Sequence, residues 1–262
     1  MNRQSPESEI DYADYSWNPL VGCSNVSCPV RKVCWARRSA RRVAARSGCL
    51  LCDQFRPHLH PERLRQPARL KKSAVIATCF MSDICDPAHR PADVARVLDV
   101  IIHLAPQHTY LLLTKRPATL PSSDLWLARG RVWLGVSISS EQMWQDASFR
   151  GAVIGWFWQY DYLQRWLSLE PAPRIEPDEL CRFLCKLPYR GLVVFGAQTR
   201  PWECKLSPDA FELLADVVQS AGWCVYFKHN LTRAEAYAAL RRFNRLPWRK
   251  NDEALYGMRE RD

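Results

Sequence analysis

The chain has 262 residues, a formal net charge of +10, 47% hydrophobic residues and 11% aromatic residues. That length suits one barrel-sized α/β domain with a substantial core, and no stretch is long and apolar enough to span a membrane. Eleven cysteines, an odd number, exclude a fully paired disulfide framework within one chain and favour metal binding by clustered thiols.

Residues 1–16 are polar and acidic, unlike a basic-then-apolar export signal. We read them as a tail, followed by one domain over 17–245 and a second tail over 246–262, in a soluble, cytoplasmic protein. A strand-like run from Trp17 to Gly22 leads into one loop bearing Cys23, Cys28 and Cys34, with four and then five residues between them. Three thiolates can hold three irons of an iron–sulfur cluster and leave the fourth iron open to a small molecule. A basic helix over 36–46 follows, and Arg37, Arg38, Arg41 and Arg42 fall along one side of it. From Arg31 to Lys72 there are thirteen Lys/Arg against two Asp/Glu, so the remainder of the chain is about neutral. Such a block suits a polyanionic partner, a nucleotide or nucleic acid, or is simply a solvated helix face; charge alone leaves both open.

Cys49 and Cys52 form a C-x-x-C pair, a common zinc half-site that His58 and His60 would complete. The plainer reading of Pro57-His58-Leu59-His60-Pro61 is a rigid loop with solvated imidazoles. Four of these first five cysteines would alternatively make a zinc knuckle beside the basic helix.

Beyond this segment, short apolar runs end in polar residues and alternate with helical stretches. Run 74–81 ends at Ser82 and Asp83; 110–113 at Thr114, Lys115 and Arg116; 132–136 at Ser137 and Ser139. Run 165–169 ends at Glu170, 192–195 at Gly196 and Gln198, and 224–227 at Lys228 and His229. Continuous apolar runs describe strands covered on both faces, hence a parallel sheet. Between them, 91–105 places Val94, Val97, Leu98, Ile101 and Ile102 on one helix face. The dense aromatic stretch from Trp156 to Tyr162, with Trp166 after it, suits either base stacking or core packing. Cys181 and Cys185, four apart on a helix, are expected to pack against the sheet; Cys79 and Cys224 read as core, and Cys85 lies near the strand end at Asp83. Ser207 is an N-cap with Pro208 at the first helical position; Phe211, Leu214, Ala215 and Val218 face inward, and Gly222 stops the helix. Thr232 and Glu235 fit a capping box for a last helix to about residue 242.

Such alternation predicts a doubly wound sheet or a full or partial barrel, and the seven strands favour an incomplete parallel (β/α) barrel. In barrels, polar side chains at C-terminal strand ends point into the mouth. Ser82, Asp83, Lys115, Ser137, Glu170, Gln198 and Lys228 should therefore converge near the cysteine loop.

Trp17-Asn18-Pro19, then Gly22-Cys23, then Cys34-Trp35-Ala36 resemble, in that order, the opening of a phage-associated three-cysteine family related to radical SAM enzymes. The resemblance continues through Phe80-Met81-Ser82-Asp83, Leu113-Thr114-Lys115-Arg116-Pro117, Trp133-Leu134-Gly135-Val136-Ser137 and Leu167-Ser168-Leu169-Glu170-Pro171, and covers roughly residues 15–230. The usual radical-SAM loop is shorter in both gaps, and Gly196-Ala197-Gln198 replaces a Gly-Gly-Glu-type segment. The resemblance implies an incomplete barrel of the radical SAM type, with six to seven strands. It also implies a [4Fe-4S] cluster on Cys23, Cys28 and Cys34 whose open iron chelates S-adenosylmethionine. Ser82, Asp83, Ser137, Glu170 and Gln198 would contact that cofactor, Lys115 and Lys228 would serve as catalytic cations, and an electron donor would be a partner. The alternatives are a zinc-stabilised nucleic-acid-binding protein without catalysis, with zinc on a site including Cys49 and Cys52, and a barrel that keeps a cluster for structure alone.

Overall fold

In the computed structural model, the described residues are 1–5, 10–188, 190–199 and 202–248. In chain order they form β1 (Asn2–Arg3), β2 (Tyr15–Trp17), β3 (Leu20–Val21), α1 (Trp35–Ser47), α2 (Leu50–Gln54), β4 (His58–Leu59) and β5 (Val75–Thr78). Next come α3 (Pro91–Asp99), β6 (Thr109–Thr114), β7 (Val132–Ile138), α4 (Glu141–Gln145), α5 (Ala147–Gln159), β8 (Gln164–Leu169), α6 (Pro177–Leu184) and β9 (Leu192–Phe195). Last are β10 (Gln198–Thr199), β11 (Trp202–Glu203), α7 (Pro208–Ser220), β12 (Cys224–Phe227) and α8 (His229–Thr232).

The result is a mixed α/β fold on a mostly parallel eight-stranded sheet, ordered β1-β2-β5-β6-β7-β8-β9-β12. β1 pairs antiparallel with β2 at one edge, and every other neighbouring pair is parallel. Six of the seven runs expected from the sequence are strands of this sheet; of the run from Trp17 to Gly22 only Trp17 belongs to it, at the end of β2, while Leu20–Val21 forms β3 and pairs with β4 in a separate two-stranded sheet. Their spatial order repeats their chain order with no reversal, which separates this sheet from the doubly wound arrangement.

Strand alternation divides the core in two. Ile76, Tyr110, Leu112, Leu134, Val136, Leu167, Val193 and Phe195 join one cluster with the buried residues of α3, α5, α6 and α7. The crossover helices thus cover a single face. On the other face Val75, Ala77, Leu111, Trp133, Trp166, Leu192 and Val194 meet Ile10 and Tyr12. Gly135 makes room there: a Cβ would fall 2.3 Å from the Trp166 indole, whose Nε1 donates to the Leu112 carbonyl at 3.2 Å.

The chain ends take part in this packing. Residues 1–16, expected as a tail, supply β1 and the buried Tyr12. Of the segment 246–262, residues 246–248 are described, and Trp248 donates from Nε1 to the Tyr12 carbonyl at 3.0 Å. The His229 amide donates to the Asp11 carboxylate at 2.5 Å, bringing the N-terminal segment against the end of β12.

Three local expectations change. The last helix has no capping box: Thr232 ends α8, and Glu235–Phe243 is a separate 3-10 segment capped at Ala234. Thr232 is buried and its hydroxyl accepts from Arg241 instead. The aromatic stretch is mostly core, because α5 turns Trp156 and Phe157 inward; Trp158 is left 54% exposed, so a stacking platform for bases does not form. Cys185 is exposed and Cys181 half-buried, so this pair does not seal against the sheet.

Candidate functional site

Parallel strands that end on one side of the sheet carry their terminal side chains to one place. Here they bound a cavity of about 230 Å³, lined by Ser82, Asp83, Lys115, Ser137, Glu170, Gln198 and Lys228 together with Cys23, Cys28 and Cys34. Every candidate strand-end residue therefore meets the three-cysteine loop in a single space. Apolar walls come from Phe80 and Leu113, and Arg31, Arg37 and Arg38 stand on the loop side.

The cysteine loop is tied down at both ends. Gly22 bridges to Ser82, its amide donates to the Met81 carbonyl at 3.0 Å, and the Ser82 hydroxyl donates to the Gly22 carbonyl at 2.6 Å. Asp86 accepts from the Ser24 amide and hydroxyl, both at 2.6 Å. At the other end Cys34 is the N-cap of α1, which packs through Ala36, Ala40 and Ala44 against Cys52 and Phe55. Burial pushes the Cys23 thiol up to about 12, the Asp86 and Asp83 carboxylates reinforcing it against an opposing hydrogen bond from the Asn25 amide.

On the strand side, Asp83 accepts from the Thr114 hydroxyl at 2.5 Å, the Lys115 amide at 2.9 Å and the Cys85 amide at 3.0 Å. Burial raises its pKa and these three donors oppose the rise. Lys115 donates to the hydroxyls of Ser137 at 2.6 Å and Ser139 at 2.9 Å. Among the described residues it forms no ion pair; burial lowers its pKa, with the Cys28 thiol and the Asp83 carboxylate opposing. Lys228 instead pairs directly with Glu170, whose other oxygen accepts from Ser168 at 3.0 Å, and its ammonium lies 5.5 Å from the Tyr12 ring centre. The two lysines are thus unlike: Lys228 is ion-paired with Glu170, whereas among the described residues Lys115 meets the Ser137 and Ser139 hydroxyls and no carboxylate.

Several participants were not among the site residues expected from the sequence, although Thr114 was read there as a strand end. Thr114, Ser168 and Asn230 line the cavity, and His89 hydrogen-bonds the Ser82 hydroxyl at 2.6 Å. Asp83, Asp86 and His89 are three apart and ride on two consecutive turns, which the spacing alone hints at. Tyr12 carries no local signal. Cys85 does not line the cavity; its thiol faces the Ala118 carbonyl.

A second cluster lies behind the cysteine loop. One ligand atom from each of Cys49, Cys52, His58 and His60 falls within 4.8 Å of all the others, a set able to hold a metal ion. His58 and His60 are therefore not solvated loop imidazoles: β4 pairs with β3, matching His58 to Val21, and turns both rings toward the C-x-x-C pair. The signal was present, since residues two apart on an extended strand share a face.

The family model described as "Protein of unknown function (DUF5131)" matches residues 7–244. No curated protein and no solved structure matches the chain.

Proposed function

The chain belongs to the DUF5131 family, whose description carries no activity, and we propose from its site that it is a radical S-adenosylmethionine enzyme acting on a nucleotide or nucleic-acid substrate. The observation that carries this reading is the meeting of three free thiols with seven polar strand-end side chains in one cavity. The sheet order and the one-sided helices are what an incomplete barrel of the radical SAM type requires.

The donor set agrees with a cluster. Cys23, Cys28 and Cys34 share the cavity wall, and all three thiols are free. A cluster held by Cys23, Cys28 and Cys34 with S-adenosylmethionine would supply one-electron cleavage of a carbon–sulfur bond and hydrogen abstraction from the substrate.

The chain's own residues would bind and orient. Cys23, Cys28 and Cys34 take the cluster. Lys115 meets an anionic group, a carboxylate or phosphate, with Ser137 beside it. Asp83, engaged with Thr114 and the Lys115 amide, fixes where that lysine starts. Glu170 and Lys228 hold one another at the cavity floor, and Gln198 borders it. Phe80 and Leu113 offer an apolar wall that excludes water. Arg31, Arg37 and Arg38 face the same cavity, which favours a polyanionic substrate. The electron must come from a separate donor.

Anaerobic reconstitution with iron and sulfide tests this. We expect about four irons per chain, loss of that iron in Cys28→Ala, and weaker S-adenosylmethionine binding by calorimetry in Lys115→Met. Wild-type protein that takes up no iron and binds no S-adenosylmethionine would leave the alternative, a zinc-stabilised nucleic-acid-binding protein, for which the second cluster would supply the zinc ligands.

A further inference from the structure

Two histidines in the second cluster face each other in an arrangement that neutral rings cannot satisfy alone. His58 Nδ1 lies 2.7 Å from the Arg56 carbonyl, so it must carry the proton. His60 Nδ1 lies 2.9 Å from the Glu62 carboxylate, so it must do the same. Both Nε2 atoms are then lone-pair donors, yet they stand only 2.9 Å apart. The thiols close the same space. Cys49 Sγ is 3.6 Å from His58 Nε2, and Cys52 Sγ is 3.5 Å from His58 Nε2 and 3.2 Å from His60 Nε2. Bonds of about 2.3 Å to sulfur and about 2.0–2.1 Å to nitrogen at a tetrahedral centre put such atoms about 3.6 Å apart. Four soft and borderline donors, two of them buried, with outer-shell partners on both imidazoles, match a closed zinc site.

We propose that Cys49, Cys52, His58 and His60 bind one structural zinc ion, and that this ion braces the walls of the three-cysteine cavity. The two thiols release their protons to solvent on binding, so the filled site is neutral. The bracing follows from the contacts. His60 donates its amide to the Pro19 carbonyl at 2.7 Å, and His58 pairs with Val21 in the β3–β4 ladder. The Arg56 carbonyl that orients His58 abuts Gly22, while the Phe55 carbonyl accepts the Cys23 amide at 3.3 Å. Cys52 also packs on α1, the helix that Cys34 begins. One ion thus ties together the segments that carry the first and third cysteines. The zinc stands without the catalytic reading; only the purpose of the brace rests on it.

Elemental analysis of the full-length protein is the test. Wild type should carry about one zinc per chain. Cys49→Ser/Cys52→Ser should lose it, and Cys23→Ser/Cys28→Ser/Cys34→Ser should keep it. X-ray absorption at the zinc edge of wild type, which needs no variant to fold, should show two sulfurs at about 2.3 Å and two nitrogens at about 2.0–2.1 Å. Glu62→Ala should weaken zinc binding about 10- to 100-fold. Stripping the ion with a chelator should speed alkylation of Cys23 about tenfold by loosening its loop. Zinc-free protein from zinc-supplemented cells, a three-sulfur shell, or zinc retained by the Cys49/Cys52 variant overturns the site; an unchanged Cys23 rate overturns the brace. Failure of iron uptake with zinc in place counts against the cluster alone.

Discussion

Gly22 shows how one residue sets the geometry of the cavity. Its φ of +94° lies in the left-handed region, and a Cβ would fall 2.1 Å from the Arg56 carbonyl oxygen. Gly22→Ala should therefore cost about 1–3 kcal/mol from backbone conformation alone, with the steric overlap added. Urea unfolding should show an earlier midpoint and limited proteolysis should cut sooner around Cys23. An unshifted midpoint would mean that β3 and the loop before β4 do not approach as closely as described. Lys115 and Lys228 make the complementary point about side chains. Both stand at strand ends, but only partners across the sheet decide that one is ion-paired with Glu170 and the other held by two hydroxyls.

At the level of elements, β6 carries a titratable group with a purely structural setting. His108, just before that strand, is buried and its Nε2 donates to the Pro67 carbonyl at 3.0 Å. Burial lowers its pKa, and that hydrogen bond only partly opposes the shift. A histidine kept neutral in the folded protein destabilises it once the unfolded chain begins to take up the proton. Stability should thus fall as pH drops below the ordinary imidazole value of about 6.5, by up to about 1.4 kcal/mol for each pH unit. His108→Gln keeps a donor for Pro67 but cannot titrate. Its urea midpoint should vary less than that of wild type between about pH 7.5 and about pH 5.5, and parallel curves would remove His108 from the account.

For the whole molecule, the distribution of charge relative to the cavity matters most. Arg37 and Arg38 are half-buried and line the cavity, whereas Arg41 and Arg42, one turn on, are exposed. This helix presents a graded basic face that runs from the mouth into solvent. On the proposed reading that face carries the phosphates of the substrate. Arg41→Ala/Arg42→Ala should then reduce the slope of log K against log salt for a single-stranded oligonucleotide by about 1.4, corresponding to two lost phosphate contacts. Titrations at several salt concentrations check this, and an unaltered slope would return the outer half of α1 to the status of an ordinary solvated face.

The six parallel strands β5, β6, β7, β8, β9 and β12, their order of appearance and their polar ends were readable from the chain, whereas β1, β3, β4, β10 and β11 were not. A strand covered on both faces must be apolar along its length, and its composition changes where it leaves the sheet. The caps of α7 were readable for the same reason, since Ser207 accepts from the Ala210 amide only three residues away. The amino-acid pattern could not decide what depends on distant partners. Thr232 failed as a cap because Arg241 claims its hydroxyl, and Trp156 and Phe157 of α5 turned inward because the sheet lies beneath them. Tyr12 entered the core from a segment whose composition resembles a tail. The pairing of His58 and His60 with Cys49 and Cys52 required β4 to fold back on β3, and the meeting of six strand ends with three cysteines required every strand to find its neighbour. Local preference is settled within a few residues, but convergence is a property of contacts between segments far apart in the chain, and only the folded sheet makes those.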